Sequence, residues 1–186
     1  MTGSVERGLI VPTVVTIDDW PEVQHLTSER LELEALRPEH ADEMAPLLDD
    51  VELHTFIGGM PATRDEVEGR YLRQVVGHSP DGLQRWLNWV LRRRDNGLVV
   101  GTVQATVSEQ DGVLIADVAW VIGASQQRQG FAREAAKSMV CWLRHQGVEV
   151  VVAHVHRDHQ ASMAVARAIG LAPTDTVVDG EVRWQG

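Results

Sequence analysis

Trp120-Val-Ile-Gly-Ala-Ser-Gln-Gln-Arg-Gln-Gly-Phe-Ala-Arg-Glu134 joins a strand-like stretch to a helical one. Beyond it, Ala132, Ala135, Ala136, Met139, Val140 and Leu143 recur at helical spacing and give one apolar face. A strand ends, a polar turn follows, and a helix begins at about Gly130. The first turn of a helix carries unpaired N–H groups at the positive end of its dipole, which suits an anion. Gly130 has no Cβ, so a phosphate can come close to the backbone. Ala132 is small enough to leave that approach open, and Gln127, Arg128 and Arg133 add donors and charge. The turn therefore has the chemistry of a pyrophosphate cradle. It is not a P-loop, since no Gly-Lys-Ser/Thr follows, nor a G-x-G-x-x-G dinucleotide turn. The residues alone leave one alternative open: an ordinary strand-to-helix turn with glycine there for steric reasons.

Upstream, residues 83–92 and 98–107 flank Asp95-Asn-Gly97, and Gln110-Asp-Gly112 leads into 113–122. Asn, Asp and Gly tolerate positive φ, so both turns predict hairpins and the three strands an antiparallel meander. Downstream, Gly147 is placed as a helix C-cap, and 148–155 is a β-branched run of the buried-strand type. Ala161, Ala164, Val165 and Ala168 mark another helix, stopped by Gly170, and 177–182 forms a small hairpin around Asp179-Gly180. Nearer the start, Leu31 and Leu33 alternate with Glu32 and Glu34 in a strand over 30–36. Pro38 opens a helix to about Leu48, 56–61 reads as a loop, and Thr63-Arg-Asp-Glu66 is a capping box for a helix to about Val76. Pro12 and Pro21 break the first 25 residues, where 11–17 has the pattern of an edge strand. The fold class is α/β (α+β): one mixed sheet, helices on its faces, and a strand-helix-strand crossover near the end.

The chain has 186 residues, 44% hydrophobic and 24% charged, which suits one ordinary globular domain. No apolar run approaches the roughly 20 residues that span a bilayer, and the N-terminus lacks a secretory pattern, so no membrane partner is expected. The single cysteine, Cys141, excludes an internal disulfide framework and points to the cytoplasm. A net charge of −10 disfavours a nucleic-acid partner. The whole excess lies in residues 1–75, with 16 acids and 6 bases, while 76–186 hold 11 of each. That half is a solubility device or, mildly, an attractor for a cationic partner. Arg92-Arg-Arg94 is either a solvated strand end or a set of partners for those acids. His154, His156 and His159 stand in H-x-H-x-x-H spacing, but no fourth ligand follows at a recognisable interval, so no metal is expected.

Gln127-Arg-Gln-Gly-Phe-Ala132 resembles the Q/R-x-x-G-x-G/A signature of the GNAT acyl-CoA N-acyltransferases. Leu26-Thr-Ser-Glu-Arg-Leu-Glu-Leu33 and Leu36-Arg-Pro-Glu-His-Ala-Asp42 look like the opening of its RimJ/RimL-type branch. His159-Gln-Ala-Ser162 followed by Ala168-Ile-Gly-Leu171 resembles that branch's N-x-x-S segment, with His159 in place of Asn. The resemblance covers residues 26–186 as an N-acetyltransferase domain and leaves 1–25 as an extension. It implies a mostly antiparallel central sheet flanked by helices on both faces. The fourth main strand would bear a bulge and splay from the fifth. Acetyl-CoA would be the acyl donor, its pantetheine arm lying along Trp120, Val121 and Ile122. Its diphosphate would sit on the segment Gln127, Arg128, Gln129, Gly130, Phe131, Ala132 and Arg133. His159 and Ser162 would also border the cofactor.

The same resemblance implies acetyl transfer to a primary amine by direct attack in a ternary complex. The amine is a protein N-terminus or a small cationic molecule. Asp117 matches the position where many members carry a catalytic Glu. As base it would take the amine proton, through a water because Asp is a methylene shorter. Otherwise Asp117 is a solvated strand residue or an arginine's partner. The tyrosine that many members use as acid is replaced by Ala166, and Tyr71 lies on a different helix. Ser162 is then the candidate donor to the thiol, or a helix cap. Glu52, His54 and Asp65, near the loop at Gly58-Gly-Met-Pro61, are candidates for binding the acceptor. Trp86 and Trp89 fall on opposite strand faces, so at most one lines the acceptor cleft; Trp86 is the candidate. A non-catalytic acyl-CoA-binding module is the alternative function. The N-terminal extension and C-terminal hairpin are compatible with a homodimer.

Overall fold

The computed structural model describes residues 20–186. The strand expected over 11–17 lies outside the described residues. A two-residue strand β1 (Leu26–Thr27) pairs with β2 (Leu31–Ala35), whose alternation buries Leu31 and Leu33 completely. The single helix expected from Pro38 to Leu48 is instead a 3-10 turn (Pro38–His40) running into α1 (Ala41–Leu48). Proline fits the first turn, and His40, buried there, accepts the Arg37 N–H at Nδ1 (3.1 Å). A further helix, α2 (Val51–Ile57), occupies residues that sequence periodicity left unassigned and takes in the first two residues of the expected 56–61 loop. It is too short to show a repeating apolar face. The capping box forms as expected and starts α3 (Arg64–Gln74): Glu66 N–H donates to Thr63 Oγ1, and the Glu66 carboxylate accepts the Thr63 N–H at 2.8 Å.

The meander is β3 (Gln84–Arg93), β4 (Val99–Gln110) and β5 (Val113–Ile122). Then come α4 (Phe131–His145), β6 (Val150–His156), α5 (Gln160–Ala168), β7 (Ala172–Val178) and β8 (Glu181–Gln185). Among the described residues, eight strands lie in the order β1-β2-β3-β4-β5-β6-β8-β7. Every pairing is antiparallel except β5 with β6, which is held by only three register pairs, Ile115↔Val150, Ala116↔Val151 and Asp117↔Val152. Beyond Asp117 the two strands part. Among the described residues, 118–122 are paired on the β4 side alone, and 153–156 on the β8 side alone. This opening is the splay that the family resemblance implies.

The bulge is not where that resemblance puts it. The β4–β5 register runs unbroken from Gly101↔Ile122 to Gln110↔Val113. The irregularity is one strand over: Leu91 pairs with Gly101 and Arg92 with Val99, so Val100 is the extra residue. The Val100 carbonyl then accepts the Gly123 N–H at 3.0 Å, fixing the point where β5 ends.

One sheet face packs Trp89, Val103, Ala105, Ala116 and Val118 against Ala135, Met139 and Leu143 of α4 and Ala166 of α5. The other packs Val90 and Val99 against Met44, Leu48, Val67 and Tyr71 of α1 and α3. Helices thus cover both faces, while the far part of the second face stays open beside the splay. Part of the acidic surplus of the N-terminal half is paired with arginines. Arg92 bonds Glu34 and Glu43 (2.8 Å each), Arg94 reaches Glu32 (3.0 Å), and Arg64 pairs with Asp42 and Glu68. Among the described residues, no helix is long and apolar enough to cross a membrane.

Candidate active site

A cavity of about 760 Å³ opens where β5 leaves the sheet. Trp120, Val121, Ile122, Gln127, Arg128, Gln129, Gly130, Phe131, Ala132, Arg133, His159 and Ser162 all line it. Gly130 is the N-cap of α4 at φ +82°, a left-handed conformation that side chains other than glycine adopt at a cost. The glycine is therefore favoured by backbone geometry. Among the described residues, no acceptor meets the backbone N–H groups of residues 128–133, so they are free for an anion. The Gln127 N–H is turned inward to the Ala124 carbonyl (3.3 Å), and its side-chain amide donates to Ile122 O (3.1 Å). Gln127 thus braces the strand end rather than adding a donor. Arg30 braces the other side. Its guanidinium donates to Glu134 (2.7 Å) and to the Gln129 carbonyl (3.0 Å), and lies over the Phe131 ring.

A second cavity, about 400 Å³, lies across the splay. It shares Phe56, Trp120, Val121, His159 and Ser162 with the first. The two therefore form one cleft that passes between β5 and β6. Asp117 lines this second part, with its Oδ2 3.2 Å from His154 Nδ1. Half of the Asp117 side chain is open to the cleft. The surrounding walls still displace enough water to push its carboxyl above the usual value, with His154 and Arg183 pulling the other way. Tyr71 is also in the wall. Its hydroxyl is buried and, among the described residues, has no hydrogen-bond partner; burial pushes it up to about 12, so it is a donor throughout the neutral range. Phe56 stacks on His159 at 4.2 Å and closes the roof where the two parts meet.

A family model described as an acetyltransferase (GNAT) domain matches residues 30–172. The chain belongs to the GNAT acetyltransferase family. Among solved structures, RimL, a ribosomal L7/L12 alpha-N-protein acetyltransferase in complex with coenzyme A, superposes with a TM-score of 0.72 at 17% identity. That match covers 88% of this chain and 97% of RimL. A GNAT-family acetyltransferase from Bacillus anthracis gives 0.68 at 13% identity, covering 87% and 96%. Aminoglycoside acetyltransferase AAC(6')-Ib in complex with coenzyme A gives 0.69 at 16%, covering 84% and 94%. At these identities the likeness is one of fold. No curated protein matches the chain by sequence.

In this GNAT chain Ser162 is not the cap of α5. His159 takes the N-cap position, and Ser162 sits three residues in, its hydroxyl unpartnered among the described residues. Asp117 has a histidine beside it, not an arginine in contact. The acceptor candidates fare differently. His54 is held by two backbone carbonyls, with Nδ1 3.0 Å from Gly58 O just after its own helix and Nε2 2.9 Å from Leu48 O at the end of α1. Asp65 projects into solvent beside Arg64. Trp86 bonds Gln84 (3.3 Å) on the face away from Trp89. None of these three lines either part of the cleft. The Glu52 side chain lies outside what is described. The residues that do line the second cavity include Asn88, Gln104, Tyr71, His154 and Glu181. They come from strands and a helix far apart in the chain, and no local signal gathers them. The three histidines do not gather either: among the described residues no three His, Cys, Asp or Glu groups are placed to share a metal ion.

Proposed function

We propose that this chain transfers the acetyl group of acetyl-CoA to a primary amine, a protein N-terminus or a small cationic amine, by direct attack in a ternary complex. One observation carries the reading. A single cleft runs from a row of free backbone N–H groups at 128–133, through a gap in the sheet, to a carboxylate at Asp117. The N–H row suits a diphosphate. The unpaired edge of 120–122 offers backbone bonds to the amide-bearing pantetheine arm. The thioester then falls at the junction bordered by Trp120, Val121 and Ser162. A strand N–H there can polarise its carbonyl, and the Ser162 hydroxyl can donate to the departing sulfur. The amine enters from the second part and loses its proton on the Asp117 side. Holding both reactants in one cleft removes much of the entropic barrier, so no covalent intermediate with the protein is needed.

The test is thiol release from acetyl-CoA with three amines: a peptide with a free N-terminal serine, spermidine, and an aminoglycoside. Transfer to any of them, lowered at least about 100-fold in Asp117→Asn, is the expected result. Tight acetyl-CoA binding without thiol release would instead make the chain an acyl-CoA-binding module.

A further inference from the structure

His154 has no part in the roles above, yet it stands where the amine proton must go. The parallel register pairs Val152 with Asp117, so His154 is the next β6 side chain on that face, just past the last rung of the ladder. Its Nδ1 faces Asp117 Oδ2 at 3.2 Å, and its ring lines the acceptor part of the cleft. A carboxylate at Nδ1 favours the Nδ1–H tautomer and leaves the lone pair on Nε2. Among the described residues nothing partners Nε2. We propose that His154 Nε2 accepts the proton of the acceptor amine, with Asp117 as its positioning residue. This rests on the acyl-transfer reading and puts a side chain where the sequence suggested a water.

In the step, the amine nitrogen attacks the thioester carbon and an N–C bond forms. The nitrogen's proton passes to His154 Nε2. The carbonyl re-forms as the C–S bond breaks, and the electron pair leaves on sulfur, which is protonated to the free thiol. His154 then returns its proton to solvent. A neutral imidazole suits this because Nε2 can take the proton while the Asp117 carboxylate faces the charged ring at Nδ1. The charged and titratable groups around His154 are Asp117 on β5, Arg183 and Glu181 on β8, His156 on its own strand, Arg70 and Tyr71 on α3, and His159 at the start of α5. Of these, Asp117 is the one in contact at 3.2 Å.

The test uses the full chain and the best acceptor from the thiol-release panel. His154→Gln is expected to lower kcat about 100-fold or more, to leave KM for acetyl-CoA within about twofold, and to change the pH profile of turnover. Added imidazole should restore part of the turnover in His154→Ala. Proton–nitrogen correlation spectra of the 15N-labelled protein, which need no acceptor, should show the Nδ1–H tautomer at His154. In Asp117→Asn the amide can donate to Nδ1, and the spectrum should invert to Nε2–H. Turnover of His154→Gln within about threefold of the unmodified enzyme, with the same pH profile, overturns the proposal while the acyl-transfer reading stands. An Nε2–H tautomer in the unmodified protein also overturns it. Absence of thiol release from the unmodified protein overturns the acyl-transfer reading and this route together.

Discussion

Gly130 and Tyr71 show how much one residue decides at this site. Gly130→Ala places a Cβ residue at φ +82°, which costs about 1–2 kcal/mol. The new methyl would stand 3.4 Å from Arg30 Nη2, a flexible end that can yield, so the backbone conformation dominates. If the loop relaxes to a negative φ, the N–H row turns away from the anion. Acetyl-CoA affinity, read by calorimetry, should fall about tenfold or more, with a loss in melting temperature. Tyr71→Phe should do the opposite to stability. It removes a buried hydroxyl that has no partner among the described residues, worth about 1 kcal/mol or more of unrecovered desolvation, so the melting temperature should hold or rise. If that hydroxyl meets the acceptor, the acceptor KM rises while the acetyl-CoA KM is unchanged, and steady-state kinetics separates the two. The sequence displayed Gly130 because its signature is local. It hid Tyr71 because a single tyrosine on a helix says nothing of what it faces.

At the scale of elements, the β3–β4 bulge and the end of β5 act as one device. Val100 is the extra residue, its carbonyl pins Gly123, and Gln127 pins Ile122 from the other side. Gly101, next to the bulge, permits this: a Cβ there would run into the Val121 carbonyl and the Ile122 backbone. Gly101→Ala should therefore displace the cleft edge at 121–122. Acetyl-CoA binding should weaken about tenfold, and the melting temperature should drop by several degrees, about 1–3 kcal/mol of overpacking. Unchanged binding in a folded variant would show that the strand edge does not hold the ligand. The hairpin turns and the capping box were legible because each is written in four adjacent residues. The bulge was not, since an extra residue shows only against its partner strand.

Across the whole molecule, charge placement sets the response to acid. Burial holds His40 and His159 below their ordinary value of 6.5. The unfolded chain therefore binds these protons first, and the stability they contribute above that value is lost as pH falls below it. Hydrogen bonds from Arg92 lower Glu34 and Glu43 from 4.5, so their contribution is intact above that value and lost as pH falls through it. Melting temperatures between pH 8 and 3.5 should fall in two stages, gently below about 6.5 and steeply below about 4.5. His40→Gln should flatten the first stage, and a slope unchanged by it would exclude that origin. The acidic half of the sequence suggested attraction for a cation. Among the described residues, Glu32, Glu34, Asp42, Glu43, Asp65 and Glu68 have an arginine within ion-pair distance. Arg92 on β3 lies directly across from Glu32 on β2 and reaches Glu34 diagonally, and Arg94, just past the strand, reaches Glu32. Taken by itself, the sequence determined what depends on neighbours a few residues away: strand alternation, turns, caps, the glycine-bearing anion loop and, through them, the family. Only the tertiary structure decided which side chains share the cleft. Asp117 and His154 are 37 positions apart and meet solely because two parallel strands pair for three residues and then part. No periodicity encodes that meeting, since it depends on strand order and register across the sheet.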